Sequence, residues 1–222
     1  MATGESFDFG DGPVPAHRHS NGGGWVADSA EVAESAWVDG NARVYGNARV
    51  SGDARVSGNA WVYGNALVFG DAWVSGDARV SGNAWLYGNA WVYGDAWVSG
   101  DARLYGNAWV DGNARVYGDA RVSGDARVSG DARVSGDARL YGNARVYGDA
   151  RVENSRDYCL IGPVGSRDAM LTWTRSNNRI VTGCFSGTVP EFLEAVETTH
   201  GDNQHARAYR AAVAFIEAIK GG

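Results

Sequence analysis

The chain of 222 residues contains one lysine, Lys220, so nearly all of its positive charge is arginine. Proline is also scarce, four residues against 32 glycines. That excludes collagen and proline-rich linkers, in which both residues run high. Only two cysteines occur, Cys159 and Cys184. Without CxxC spacing they predict two reduced thiols in a cytoplasmic protein, with a single disulfide as the alternative. The segment Met1 to Pro15 is glycine-rich and acidic and has no basic stretch followed by an apolar run, so no secretory signal is expected. No stretch is apolar enough to span a membrane. The formal charge of −6 gives no global reason to expect DNA, RNA or an anionic membrane as partner. Disorder depends on a shortage of aromatic residues, and nine tryptophans and ten tyrosines exclude it.

What the sequence has is a repeat. An aliphatic residue recurs every six positions from Val26 to Val152, giving 22 positions in one register without an insertion. Four residues after each of these, from Ala30 to Ala150, stands an alanine. From Val44 onward the unit reads Val/Leu, then Ser, Tyr, Asp or Phe, then Gly, Asn or Asp, Ala, and Arg or Trp; Leu67 is the one departure at the last position. Six is not a helical period, and a turn signal in every unit limits strands to a few residues. Alternation puts Ala inward and its two neighbours outward. Gly permits the corner backbone, and Asn or Asp tolerates it. Three such sides close a coil of 18 residues, so 22 units make about seven coils. The expected organisation is an N-terminal cap or arm over 1–24, an all-β solenoid over 25–153 and a small α+β C-terminal cap over 154–222.

The unit Val44-Tyr45-Gly46-Asn47-Ala48-Arg49 and its neighbours resemble the left-handed β-helix hexapeptide-repeat family, with an aliphatic residue first and a small residue fifth. The resemblance covers the repeats and implies a triangular, left-handed solenoid. It also implies a homotrimer, because association through one side is common in that family. Enzymes of the family generally use histidine, as base or zinc ligand. All four histidines here, His17, His19, His200 and His205, lie outside 25–153, as do both cysteines. No excursion loop interrupts the register, and threonine is absent from the stack, which removes the regular Thr ladders of ice-binding solenoids. No catalytic residue, metal site or cofactor is therefore predicted in the stack.

With an 18-residue coil the outward last positions form three columns. One runs Trp25, Arg43, Trp61, Arg79, Trp97, Arg115, Arg133, Arg151; a second Glu31, Arg49, Leu67, Trp85, Arg103, Arg121, Arg139; the third Trp37, Arg55, Trp73, Trp91, Trp109, Arg127, Arg145. Arginine is planar and weakly hydrated, so its guanidinium can lie on indole faces one coil away. Trp73, Trp91 and Trp109 make an apolar strip with Tyr93 and Tyr147 on related edges, the kind of surface that marks self-association or a protein partner. From Arg115 onward every outward last position is arginine. Residues 25–153 hold 12 arginines against 16 acids, however. The expected arrangement is lateral salt-bridge ladders rather than a nucleic-acid surface.

The ends carry the remaining candidates. Pro13–His19 can be extended with His17 and His19 on one face, a surface strand or cap first and two metal ligands second. After Glu153 the pattern predicts strands near 158–161, 170–175 and 180–185, followed by two helices. Thr188 with Glu191 forms a capping box for the first helix, whose apolar face is Phe192, Leu193 and Val196. The second helix, near 203–219, buries Ala206, Tyr209, Val213 and Ile216. The loop Ile161–Arg167, ending in Ser166 and Arg167, is a candidate anion cradle. Cys184 with His200 or His205 admits a thiol–imidazole reading, with Cys159 as a second thiol, although a cysteine on an apolar strand is more often a small core residue. As a whole the chain resembles phage and bacterial proteins in which a hexapeptide stack precedes a short α/β tail. Three functions are then open: a non-enzymatic scaffold or binding protein, a protein that binds or sequesters an anionic small molecule such as a nucleotide, and a divergent trimeric acyltransferase-like enzyme.

Overall fold

The protein was analysed as a computed structural model that describes residues 4–220, so residues 1–3 of the expected arm and 221–222 of the expected C-terminal cap lie outside it. Among the described residues, 22 short strands from Trp25–Ala27 to Arg151–Val152 wind into a β-solenoid of about seven turns. They fall into three parallel sheets. Residue n pairs with residue n+18 throughout, as in Trp73 with Trp91 and Trp91 with Trp109. The expected aliphatic and alanine positions are buried from Ala36 to Val152, and Ala30 and Val32 in the first coil are partly covered.

Each unit is tied to the next coil along its whole backbone. The Arg79 N–H donates to the Ala96 carbonyl at 2.9 Å, Ser81 to Val98 at 2.9 Å, and Asn83 to Gly100 at 2.8 Å. Strand and corner are therefore both hydrogen-bonded from coil to coil, which explains how strands of two residues can persist. At the corners the chains pass too closely for a side chain. Gly100 has φ +68°, and a Cβ there would sit 2.8 Å from the Gly118 nitrogen.

A stack of this kind leaves one row of unpaired backbone groups at each end. At the start, Ser6–Asp8 and Pro13–Arg18 form an antiparallel hairpin that pairs with Trp25–Ala27 and extends one sheet to ten strands. Asn21 donates its side-chain amide to the carbonyls of Glu34 and Ala36 in the first coil. Phe9 stacks on Tyr45, and Tyr45 on Tyr63, with centroids 4.9 and 5.0 Å apart. Burial, and then the neighbouring Tyr63, push the Tyr45 hydroxyl up to about 12.

At the far end the open N–H groups of the last coil meet side-chain oxygens. Arg145 N–H donates to Thr172 Oγ1 at 2.9 Å, Arg151 N–H to Ser176 Oγ at 2.7 Å, and Glu153 N–H to Asp157 Oδ2 at 2.8 Å. Tyr158 lies over the last coil, is 7% exposed and donates its hydroxyl to the Arg139 carbonyl at 2.7 Å. Tyr158 and Thr172 belong to a four-stranded antiparallel sheet of Tyr158–Val164, Ala169–Thr174, Arg179–Thr182 and Phe185–Thr188, with Asp157 just before its first strand and Ser176 in the turn after its second. The sequence pattern predicts one strand over 180–185. The structure splits it at Gly183, whose φ of +53° turns the chain so that Thr182 faces Phe185 across a hairpin.

Helix α1 (Val189–His200) starts at the predicted capping box of Thr188 and Glu191, and α2 (Gln204–Lys220) follows. They pack on one face of the sheet around Trp173, Leu171, Ile180, Phe192, Tyr209 and Ile216. Leu193, expected on the buried face of α1, is 37% exposed. The buried stripe is Val189, Phe192 and Val196, whose spacing keeps one face of the helix while Leu193 is rotated off it. No helix among the described residues is long and apolar enough to cross a membrane.

Candidate functional site

The three outward columns stand as the 18-residue coil predicts, and the guanidinium–indole contacts form. Trp61 is held between Arg43 and Arg79 at 5.0 and 5.3 Å, Arg103 lies 5.1 Å from Trp85, and Arg127 lies 5.1 Å from Trp109. Each exposed contact of this type contributes about 0.5–1 kcal/mol, so the columns tie successive coils together as well as covering them.

The structure brings Trp73, Trp91 and Trp109 together. Their rings follow one another at 5.0 and 5.3 Å, the first pair edge to face and the second tilted. They line a groove of about 580 Å³ that also includes Asp53, Arg55, Asp71 and Asn89. On the other flank Trp73 donates its indole N–H to Ser57 Oγ at 3.2 Å, and Tyr93 donates its hydroxyl to Asp111 Oδ2 at 2.6 Å. Burial, followed by that bond, raises the Tyr93 hydroxyl above its ordinary value. Trp91 is 38% exposed, whereas Trp73 and Trp109 are half-buried by their neighbours.

The lateral salt-bridge ladders expected between the arginines and aspartates do not form. Within the stack, among the described residues, one Arg–carboxylate pair occurs, Arg49 with Glu31 at 3.0 Å. The side chains preceding the alanines bond along their own columns instead. Asn47 donates to Asn65, Asn65 to Asn83, and Asn83 to Asp101, at 3.3, 3.0 and 2.9 Å. Asn89 donates to Asn107 and Asn107 to Asp125 in the next column, at 3.2 and 2.9 Å. An asparagine amide both donates and accepts, so it can pass a chain of bonds along the stack until a carboxylate, which only accepts, ends it. The alternation of Asn and Asp in the sequence holds that signal, which a charge count does not show.

His17 and His19 enter different surroundings. The His17 ring lies 2.9 Å from Asp28, whereas His19 is buried with its Nδ1 against the backbone of Asn21. No cluster of three or more His, Cys, Asp or Glu among the described residues could hold a metal ion.

Beyond the stack, the cleft between α1 and the C-terminal sheet has a volume of about 300 Å³. It gathers Ser166, Arg167 and His200 with Cys184, although they are separate in sequence. The candidate cradle 161–167 is divided: Ile161 to Val164 belong to a strand, and the turn that follows carries Ser166 and Arg167 to the cleft. Arg167 Nη1 donates to Cys184 Sγ at 3.3 Å. His205 does not line the cleft but packs against His200, ring centroids 5.8 Å apart. Thr182, Phe185 and Tyr209 also line it, and sequence reasoning missed them as site residues. Cys159 lies elsewhere, packed beside the core of this unit, and burial pushes its thiol up.

Coils of six-residue units around an aliphatic–alanine core, closed at both ends and faced with aromatic and arginine columns, define a β-solenoid repeat protein. Its sequence is similar to the YdcK beta solenoid repeat, whose model matches seven overlapping windows from 42–58 to 72–88 and from 114–130 to 138–154. Together the windows cover 42–88 and 114–154, less than half of the chain. Every window begins on an inward alanine, so the similarity follows the coil and does not reach the C-terminal unit. No curated protein matches the chain.

Proposed function

We propose that the chain is a non-enzymatic assembly and binding module, a rigid solenoid whose Trp73–Trp91–Trp109 face docks on further copies of itself, three copies closing a ring. The observation that carries this reading is the groove along that face, where an indole ladder is flanked by Arg55 and Arg127 and by Asp53, Asp71 and Asp125. A face that presents both guanidinium and carboxylate groups around an apolar strip can meet the edge of a further copy head to tail, a contact that closes into a ring, and three copies is the number that the resemblance to the hexapeptide-repeat family implies. Aromatic residues and arginine dominate such contacts energetically. The backbone beneath is fixed coil to coil by hydrogen bonds, so little ordering opposes docking.

Replacing Trp91 with Ser tests the reading. The variant is expected to fold, because the inward neighbour Val92 is untouched, and to melt below the parent as the contribution of the assembly and of the Trp73 and Trp109 contacts is lost. In sedimentation velocity it should run as a single chain where the parent runs as an assembly. A parent and variant that sediment identically would contradict the proposal.

A further inference from the structure

The C-terminal cleft shares no lining residue with the aromatic groove and has features that folding alone does not require. Thr182 is 5% exposed and lines the cleft, and its hydroxyl oxygen, covered from water, has no hydrogen-bond partner among the described residues. Burying a hydroxyl unpaired is unfavourable, and a threonine on a strand could be replaced by valine of the same shape. Arg167, on the rim, is the one permanently charged side chain lining the cleft, and among the described residues it meets no carboxylate. Its one hydrogen bond is to the soft sulfur of Cys184, a weak acceptor that leaves the rest of the guanidinium fork open. Ser166 and His200 add further polar groups, whereas Phe185, Phe192 and Val196 form an apolar wall. Phe185 and Phe192 pack at 5.1 Å, and Phe192 meets Tyr209 edge to face at 5.3 Å, so this wall is fixed.

We propose that this cleft binds a small carboxylate with an apolar body, its head on Arg167 and on the Thr182 hydroxyl once that side chain turns toward the cleft, and its body against Phe185 and Phe192. A guanidinium fork matches a carboxylate in shape, and a single positive charge matches a single negative one. A phosphate monoester carries nearly two negative charges and would find one permanent cation here. The volume of about 300 Å³ stands at the small end of ligand sites and fits a body of one ring.

The test uses the full chain with benzoate as probe, followed by calorimetry or ligand-observed NMR, with phenyl phosphate in parallel. Benzoate should bind at one site per chain with a Kd no weaker than about 10 mM. Arg167→Met should weaken it by about tenfold or more, and Thr182→Val by about threefold to tenfold. Thr182→Val should also melt no lower than the parent, because it removes an unpaired hydroxyl and keeps the shape. This separates loss of a ligand contact from loss of folding. Benzoate that never saturates, or that binds Arg167→Met and Thr182→Val as well as it binds the parent, would overturn the site. Phenyl phosphate binding tenfold more tightly than benzoate would overturn the carboxylate assignment.

Discussion

Gly100 and Gly148 occupy the same place in the unit and have the same backbone, φ +68° in each, but different surroundings. A Cβ on Gly100 would press on the Gly118 backbone of the next coil, whereas one on Gly148, at the end of the stack, would meet nothing within 4 Å. Gly148→Ala should therefore cost only the left-handed conformation, about 1–2 kcal/mol. Gly100→Ala adds a contact that two hydrogen-bonded backbones cannot relieve. Its melting temperature should fall clearly below that of Gly148→Ala, and equal losses would show that the corner is not close-packed. At this scale the sequence was readable where a residue does one thing. Val, Ala and Gly recur with fixed roles, and the Trp–Arg columns follow from arithmetic on the period. Thr182 and Tyr209 were not readable as site residues, because their place in the cleft depends on how a sheet and two helices dock.

At its far end the stack is closed by side-chain oxygens, and their contribution can be measured. Thr172 Oγ1 is the acceptor for the Arg145 N–H. Thr172→Val keeps the shape and leaves that N–H unpaired, which should cost about 1–3 kcal/mol. Amide exchange at Arg145 should speed up more than at Arg127, whose N–H bonds to Ala144; equal protection would contradict this account of the end cap. The capping box of α1 adds a pH dependence. The Thr188 backbone N–H, then its hydroxyl, hold the Glu191 carboxyl below its ordinary 4.5. A depressed carboxylate stabilises the folded state fully above its unfolded value, and that stabilisation is lost as pH falls through the folded one. Asp149, bonded by Asn177 of the C-terminal unit, is shifted in the same direction. Among the described residues α1 and α2 are the only helices, so ellipticity at the helical wavelength reports on this unit. Its melting should fall between about pH 5 and pH 3, and less steeply in Glu191→Gln; superimposable profiles would contradict the assignment. The capping box was legible because it is a local pattern. The fourth strand was not, because Gly183 reads equally as part of a strand until its φ is known.

Over the whole molecule, periodicity explains both the fold and the surface. A six-residue unit repeated without insertion leaves three straight faces, on which every outward position lies above its counterpart. Charge was the property that misled at this scale. A near balance of arginine and acid suggested salt bridges across columns, but bonding runs along the columns, indole to guanidinium and amide to amide. Each face therefore keeps arginine and carboxylate groups available to a partner, on a backbone that is already ordered. The proposed partner is another copy, and light scattering on the parent chain should then give a mass of about three times the 23.5 kDa chain. A mass of one chain at all accessible concentrations would contradict it.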